Sequence, residues 1–396
     1  MRKGWEYKKL GEVATFINGD RGKNYPSAKD FVESGVPFIN AGHLNNGIIR
    51  YDKMNYITIN KYNSLGSGKI IKNDILFCLR GSLGKYAIVA EDSMGAIASS
   101  LVIIRPFQNA DNRFIAHFLS SAKIKEYIAK NNNGSSQPNL SAKSVASFII
   151  PLPTLSTQLA IVSELDKINE LIRLKKEQLK DFDNLAQSLF FEMFGDPVEN
   201  EKGWEVKKLD DVCIITSSKR IFADEYTETG IPFYRSKEVI ERSKGLPISV
   251  ELFISEERYN EIKEKFGVPK IGDILITAVG TIGKIWAIDT DNKFYFKDGN
   301  LVWLKDIDNQ LANSCFFRRL LEYLIEEYKK TNANGAAYNA LTIAKLKLMS
   351  CPLPPLSLQQ LFAQRIEQIE REKSEVQKSI QDLETLLASR MQYWFE

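Results

Sequence analysis

The chain has 396 residues, 44% of them hydrophobic, and a formal net charge of +3. That length accommodates two or three domains of an ordinary globular composition. The charge is too slight to announce a nucleic-acid-binding protein unaided. Residues 1–5 lead into no apolar signal core, and no run of eighteen apolar residues occurs, so a cytoplasmic protein without signal or membrane span is expected. Cys78, Cys213, Cys315 and Cys351 lie far apart, form no Cys-x-x-Cys pair and have only His43 and His117 for company, which argues against a structural zinc site.

Taken in order, the first half opens on Gly4-Trp5-Glu6-Tyr7-Lys8-Lys9-Leu10 and continues through Gly35-Val36-Pro37-Phe38. Apolar and β-branched runs at 70–79, 86–90 and 96–105 read as strands, and residues 114–130 carry helical periodicity leading into an Asn/Gly-rich loop. Pro151-Leu152-Pro153-Thr154-Leu155-Ser156 forbids a helix before that point and offers Ser156 as an N-cap. Beyond it, Ile161, Leu165, Ile168, Ile172, Leu179, Phe182, Ala186, Leu189 and Met193 form a heptad seam interrupted by Lys175. The expected helix of about thirty-six residues spans roughly 54 Å and ends at Gly195-Asp196-Pro197.

The same landmarks then return. Gly203-Trp204-Glu205-Val206-Lys207-Lys208-Leu209 repeats the opening, and Gly230-Ile231-Pro232-Phe233 repeats the turn. Gly272-Asp273-Ile274-Leu275 matches Asn73-Asp74-Ile75-Leu76. Gly280-Thr281-Ile282-Gly283-Lys284 matches Gly81-Ser82-Leu83-Gly84-Lys85. Strands are expected at 271–279, 284–288 and 300–304, and a helix at 315–330. Pro352-Leu353-Pro354-Pro355-Leu356-Ser357 announces a second long helix, with Ser357 and Gln360 spaced as a capping box and Lys373 and Arg390 as polar breaks in its seam. The repeat unit is therefore a mixed α/β domain with a strand-rich body plus a long helix, about half the chain, and the two helices are expected to pack on each other. Asp74 and Asp273, in strand-entry turns, are expected to satisfy backbone donors.

Several chemistries lack their motifs. No GxxxxGK[ST] loop, GxSxG, HExxH, GxGxxG or amino-methyltransferase Pro-Pro-Tyr motif is present, and two histidines in one half cannot furnish duplicated acid–base machinery. Binding is the better reading. Arg80, Ser82, Lys85 and Ser135, Ser136, Gln137, Asn139 set small hydroxyls, amides and cations beside glycines, where backbone can approach a phosphate and side chains can reach base edges. Arg21, Lys23 and Asn24 extend this set in the first half. Lys219, Arg220, Arg235, Lys237, Thr281, Lys284, Tyr338 and Asn339 are its candidates in the second. Lys219-Arg220-Ile221-Phe222 replaces Arg21-Gly22-Lys23-Asn24-Tyr25, so the loops differ on a shared skeleton.

Two variable α/β domains, each followed by a long helix opened by Pro-Leu-Pro-x-Leu, with Gly195-Asp196-Pro197 after the first, resemble the specificity subunit of type I DNA restriction-modification systems. The most specific signals are the two proline-rich openings and Asn133-Gly134-Ser135-Ser136-Gln137-Pro138-Asn139-Leu140. The second half departs from that loop at Ala336-Ala337-Tyr338. The resemblance implies target-recognition domains at 1–152 and 197–353, a central helix at 153–196 and a distal helix at 354–396. It implies an antiparallel coiled coil serving as a spacer ruler, a pseudo-twofold internal repeat, and a bipartite double-stranded DNA target. It further implies a non-catalytic role: S-adenosylmethionine, ATP and Mg would be bound by partners, two methylation subunits clasping the helices and restriction subunits joining through the complex. A specificity subunit of a type IIB-like system and a non-DNA coiled-coil adaptor remain alternatives at this point.

Overall fold

The computed structural model describes residues 2, 4–45, 47–131, 138–331 and 340–396. It divides into two compact units, residues 1–177 with 377–396, and residues 178–376. Each unit contains one α/β body and one stretch of each long helix.

In the first unit a four-stranded antiparallel sheet has the order Ala14–Asn18, Leu101–Pro106, Ile75–Cys78, Tyr86–Ile88. Its middle strands are apolar on both faces because both faces are covered. Ile75, Phe77, Val102 and Ile104 point into a core shared with the helix Asn112–Ser120, while Leu76, Cys78, Leu101 and Ile103 fill a second core on the opposite side. A second sheet orders Ala96–Ile97, Val36–Ile39, Tyr56–Ile57 and Phe31–Val32, and a hairpin pairs Leu44–Asn45 with Ile48–Ile49. Glu6–Lys9 pairs antiparallel with Ile149–Leu152, fastening the start of the body to the strand that leads into the central helix.

The second unit repeats this plan. Ile214–Thr216, Leu301–Lys305, Ile274–Thr277 and Ile285–Ala287 form one sheet, and Tyr226–Thr227, Phe253–Ile254, Ile231–Tyr234 and Tyr295–Phe296 the other. Glu205–Lys208 pairs with Ser350–Leu353. Where the first body places its hairpin, the second has the helix Ser236–Ser243.

Several expected boundaries shift. The run 96–105 is two strands in different sheets, because residues 98–100 turn: Ala98 N donates to Ile39 O at 2.7 Å and Leu101 N to Ala98 O at 3.0 Å. The helix expected at 114–130 is two, Asn112–Ser120 and Ala122–Asn131, since Ser121 is extended (φ −68°, ψ 159°). Ser120 Oγ bonds back to His117 O at 2.8 Å, the local competition that serines offer a helix. In the second unit Glu322-Tyr323 occupies that point and Ser314–Thr331 runs unbroken. Asp74 and Asp273 accept the expected backbone N–H groups, from Ile71 at 2.8 Å and Lys270 at 3.0 Å, with Arg105 and Trp303 Nε1 as additional donors.

The long helices are Leu155–Phe194 and Leu356–Phe395, forty residues each, or roughly 60 Å at 1.5 Å per residue. Both start before the serine that was expected to cap them. Thr154 stands ahead of the first helix, with its Oγ1 taking Thr157 N at 3.4 Å, and Pro355 O takes Leu358 N and Gln359 N in the second. The capping box of Ser357 with Gln360 is thus not formed. What fixes each opening is a buried glutamine. Gln158 Nε2 donates to Pro153 O (2.9 Å) and Asn109 O (3.0 Å), and its Oε1 accepts Asp111 N (2.9 Å). Gln359 makes the same three bonds, to Pro354 O (2.8 Å), Leu311 O (3.0 Å) and from Asn313 N (2.8 Å). Each side chain thereby ties its helix to the loop preceding the body's first main helix.

Within each unit the two helix stretches run antiparallel. In the first, Ile161, Val162 and Leu165 share a core with Leu387, Met391, Trp394 and Phe395, and Lys176 pairs with Glu384 at 2.7 Å. In the second, Phe190 and Phe194 pack on Phe362 at ring distances of 5.7 and 5.2 Å. Two polar breaks of the seam are ion pairs across it, Arg390 with Glu164 and Lys373 with Asp183 (2.8 Å). Charged groups in such a seam specify register. Among the described residues no helix is long and apolar enough to cross a membrane.

Candidate nucleic-acid interface

In the first body the glycine-rich turn after Ile75–Cys78 closes a hairpin, Cys78 N donating to Lys85 O at 2.8 Å. Gly84 has φ +81°, and a Cβ there would stand 2.9 Å from Ile128 Cδ1, so this turn admits only glycine where it meets the helix. The segment following residues 132–137 is zipped onto the same turn. Gly81 N donates to Pro138 O at 3.1 Å, Leu140 N to Leu79 O at 2.8 Å, and Arg80 and Asn139 form an antiparallel bridge. Ser141 then caps the short helix Ala142–Ala146, accepting Ser144 N at 2.9 Å.

A third segment arrives from the edge strand Ala14–Asn18. Asp20 accepts N–H from Gly22 (2.7 Å) and Gly66 (2.8 Å), bonds that hold its carboxyl below the usual carboxylate range and shape the loop carrying Arg21. Arg21 reaches Ser99 O at 3.5 Å.

These segments enclose a cleft of about 340 Å³ lined by Asn18, Arg21, Arg80, Asn139, Leu140, Ser141, Ala142 and Lys143. Three sequence candidates, Arg21, Arg80 and Asn139, therefore meet although up to 118 positions apart. Lys23, Ser82 and Lys85 are exposed on the neighbouring turns without lining it, and Asn24 is engaged by Ser64 O at 2.7 Å. Ser135, Ser136 and Gln137 lie outside the described residues. Asn18, Ser141 and Lys143 were missed from sequence; Lys143, three residues past the Asn139-Leu140 landmark, was the detectable one. Among the described residues Arg21, Arg80 and Lys143 have no carboxylate within ion-pair distance. Such a set of cations, amides and a hydroxyl can neutralise phosphate and bond base edges.

The second body builds the same turn. Thr277 N donates to Lys284 O at 3.0 Å, Leu341 N to Ala278 O at 3.1 Å, and Thr342 caps the helix Ile343–Lys347. Its candidates are disposed differently. Thr281 is exposed and Lys284 half-buried on the turn. Lys219 N donates to Tyr295 Oη at 2.7 Å, and its Nζ lies 5.2 Å from the Phe266 ring centre. Arg220 pairs with Asp298 at 2.7 Å. Arg235 pairs with the buried Glu238 and with Glu251, both at 2.8 Å, and Lys237 with Glu251 at 2.5 Å. Lys237 first, then Arg235, bring the Glu251 carboxyl down to about 2. Tyr338 and Asn339 lie outside the described residues.

Against known proteins, residues 2–181 and 201–385 both match the family model of the type I restriction modification DNA specificity domain. A Haemophilus influenzae protein named as a type I restriction enzyme specificity subunit is 25% identical over 373 residues, covering 92% of this chain and 87% of its own. The MjaIX specificity subunit of Methanocaldococcus jannaschii is 25% identical over 390 residues, covering 91% and 85%. A chain of a type I R-M system, solved for its complex assembly and conformational transition, aligns with TM-score 0.67 at 21% identity, over 99% of this chain and 97% of that one. The S subunit of a type I system from M. genitalium aligns at 0.52 and 15%, over 99% and 96%. At these identities the solved structures speak to the fold, two tandem α/β domains with long helices, and the family model speaks to kinship. This chain belongs to the type I restriction-modification DNA specificity family, two copies of whose domain it carries in tandem.

Proposed function

We propose that this chain is the DNA sequence-specificity subunit of a type I restriction-modification enzyme, reading a bipartite duplex target with one recognition domain per half-site. The observation that carries this is the duplicated turn and capped helix, closed by equivalent hydrogen bonds in both bodies yet furnished with different side chains. Two readers on one framework is what a two-part target needs, and separation of the half-sites then follows from helix length.

The helix pair acts as spacer and as the docking site for two methylation subunits, with restriction subunits joining through that complex. Leu155, Leu159, Leu171, Leu174 and Leu185 on the central helix and Leu361 and Leu386 on the distal one are exposed, a supply of apolar surface suited to such partners. The chain itself performs no catalysis. S-adenosylmethionine, ATP and Mg belong to those partners, and the assembly works in the cytoplasm.

The test is methylome sequencing of a host expressing this chain with its methylation subunits. A methylated motif of two short blocks with a constant gap is expected. Methylation that stays sequence-specific after deletion of this chain, or a single uninterrupted motif, overturns the reading.

A further inference from the structure

The two recognition domains differ in electrostatics far more than their shared framework requires. Residues 1–152 contain 20 Lys and Arg against 11 Asp and Glu, whereas residues 197–353 contain 23 against 24. The overall +3 conceals one strongly basic domain and one that is nearly neutral.

Part of this difference falls at the cleft. Arg80 follows Leu79, whose carbonyl takes Leu140 N; in the second body Val279 follows Ala278, whose carbonyl takes Leu341 N. Asn139 precedes Leu140, and Ala340 precedes Leu341. Lys143 is the second residue of its capped helix, and Ala344 is the second of the other. Three polar cleft residues thus have apolar counterparts. The one arginine both bodies keep is treated oppositely. Arg21 meets the neutral carbonyl of Ser99, while Arg220 meets the carboxylate of Asp298, the residue at the position of Ser99 counted from the preceding strand. Arg235 and Lys237 are likewise neutralised by Glu238 and Glu251.

We propose that the first recognition domain is the electrostatic anchor of the pair. Its cleft seats duplex phosphate through Arg21, Arg80 and Lys143 and supplies the larger share of the salt-dependent affinity, while the second domain selects sequence with little phosphate neutralisation. The proposal rests on the DNA-specificity reading above. Each neutralised phosphate adds about 0.9 to the slope of log affinity against log salt. Three such contacts contribute about 2.7, or roughly forty-fold in affinity over a fourfold change in salt.

The experiment uses the full chain assembled with its methylation subunits and a labelled 40-base-pair duplex of random sequence, with anisotropy titrations across salt concentration. The combined variant Arg21→Gln, Arg80→Gln, Lys143→Gln is expected to lower the slope by about 2 to 3. The matched variant Lys219→Gln, Arg220→Gln, Lys284→Gln is expected to lower it by about 1 or less. Equal losses, or a larger loss from the second set, overturn the anchor. Should the triple variant fail to fold, Arg80→Gln alone against Lys284→Gln makes the same comparison. Methylome sequencing of the wild type separates the two readings. A bipartite motif together with equal slope losses removes the anchor and leaves the DNA-specificity reading standing. No sequence-specific methylation together with no salt-dependent binding removes both.

Discussion

Replacing Gln158 with leucine keeps the volume of the side chain approximately and removes all of its hydrogen bonding. The glutamine is fully buried and makes three bonds, to Pro153 O, to Asn109 O and from Asp111 N. Two carbonyls and one amide would lose their partner next to an apolar core. A buried group left unsatisfied costs about 1–3 kcal/mol, so the sum is roughly 3–5 kcal/mol once Asn109 and Asp111, nearer the solvent, are allowed some water. For a unit of about two hundred residues that corresponds to a fall in melting temperature of roughly 10 °C. Urea unfolding measures the free energy and calorimetry the midpoint. Ser156→Ala, on the same turn but exposed, is the control and should stay within about 0.5 kcal/mol of wild type. Gln359→Leu should repeat the loss in the second unit, where the three bonds recur. If Gln158→Leu unfolds within about 1 kcal/mol of the Ser156 control, the assignment of these glutamines as the fasteners of the helix openings is wrong.

Two glycines of one turn offer a sharper contrast. Gly283 has φ +78°, and a Cβ added to it would stand only 2.5 Å from Ile325 Cγ2, whereas Gly280 has φ +75° and open space. Gly280→Ala should cost about 1–2 kcal/mol from the left-handed backbone alone, and Gly283→Ala roughly 1–3 kcal/mol more because Ile325 is buried and cannot yield; urea midpoints decide. A pH effect follows from Asp166. The hydrogen bond from His117 at 2.7 Å, with Arg113 nearby at 3.3 Å, holds its carboxyl below the ordinary range. Because the folded value is the lower one, the stabilisation is present above the unfolded value near 4 and is lost as pH falls through the folded one. Asp166→Asn should therefore lower stability at pH 7 by less than about 1 kcal/mol, given 41% exposure, and flatten the decline below about pH 4. A decline as steep as that of wild type would contradict it.

The duplication, the two long helices and the glycine turns were legible because their signals act over a few residues. Heptad spacing, prolines that forbid a helix, and paired glycines such as Gly81 and Gly84 need no distant partner to be read. Residues that act across the chain were not. Arg390 and Lys373 looked like flaws in an apolar seam, and only the antiparallel pairing inside each unit turns them into ion pairs with Glu164 and Asp183. Gln158 and Gln359 stand two residues beyond the serines of the recognisable openings, yet their work depends on carbonyls at Asn109 and Leu311, nearly fifty positions away.

The candidate site divides in the same way. By itself the sequence determined which turns carry cations and amides, since residue type and glycine spacing are local properties. Only the tertiary structure decided that Arg21, Arg80, Asn139 and Lys143 face one cleft while Arg220 is spent on Asp298. The physical reason is that a charge's effect depends on what lies within a few ångströms of it, and the fold, by pairing edge strand, hairpin turn and returning loop, chooses those neighbours from positions tens of residues apart.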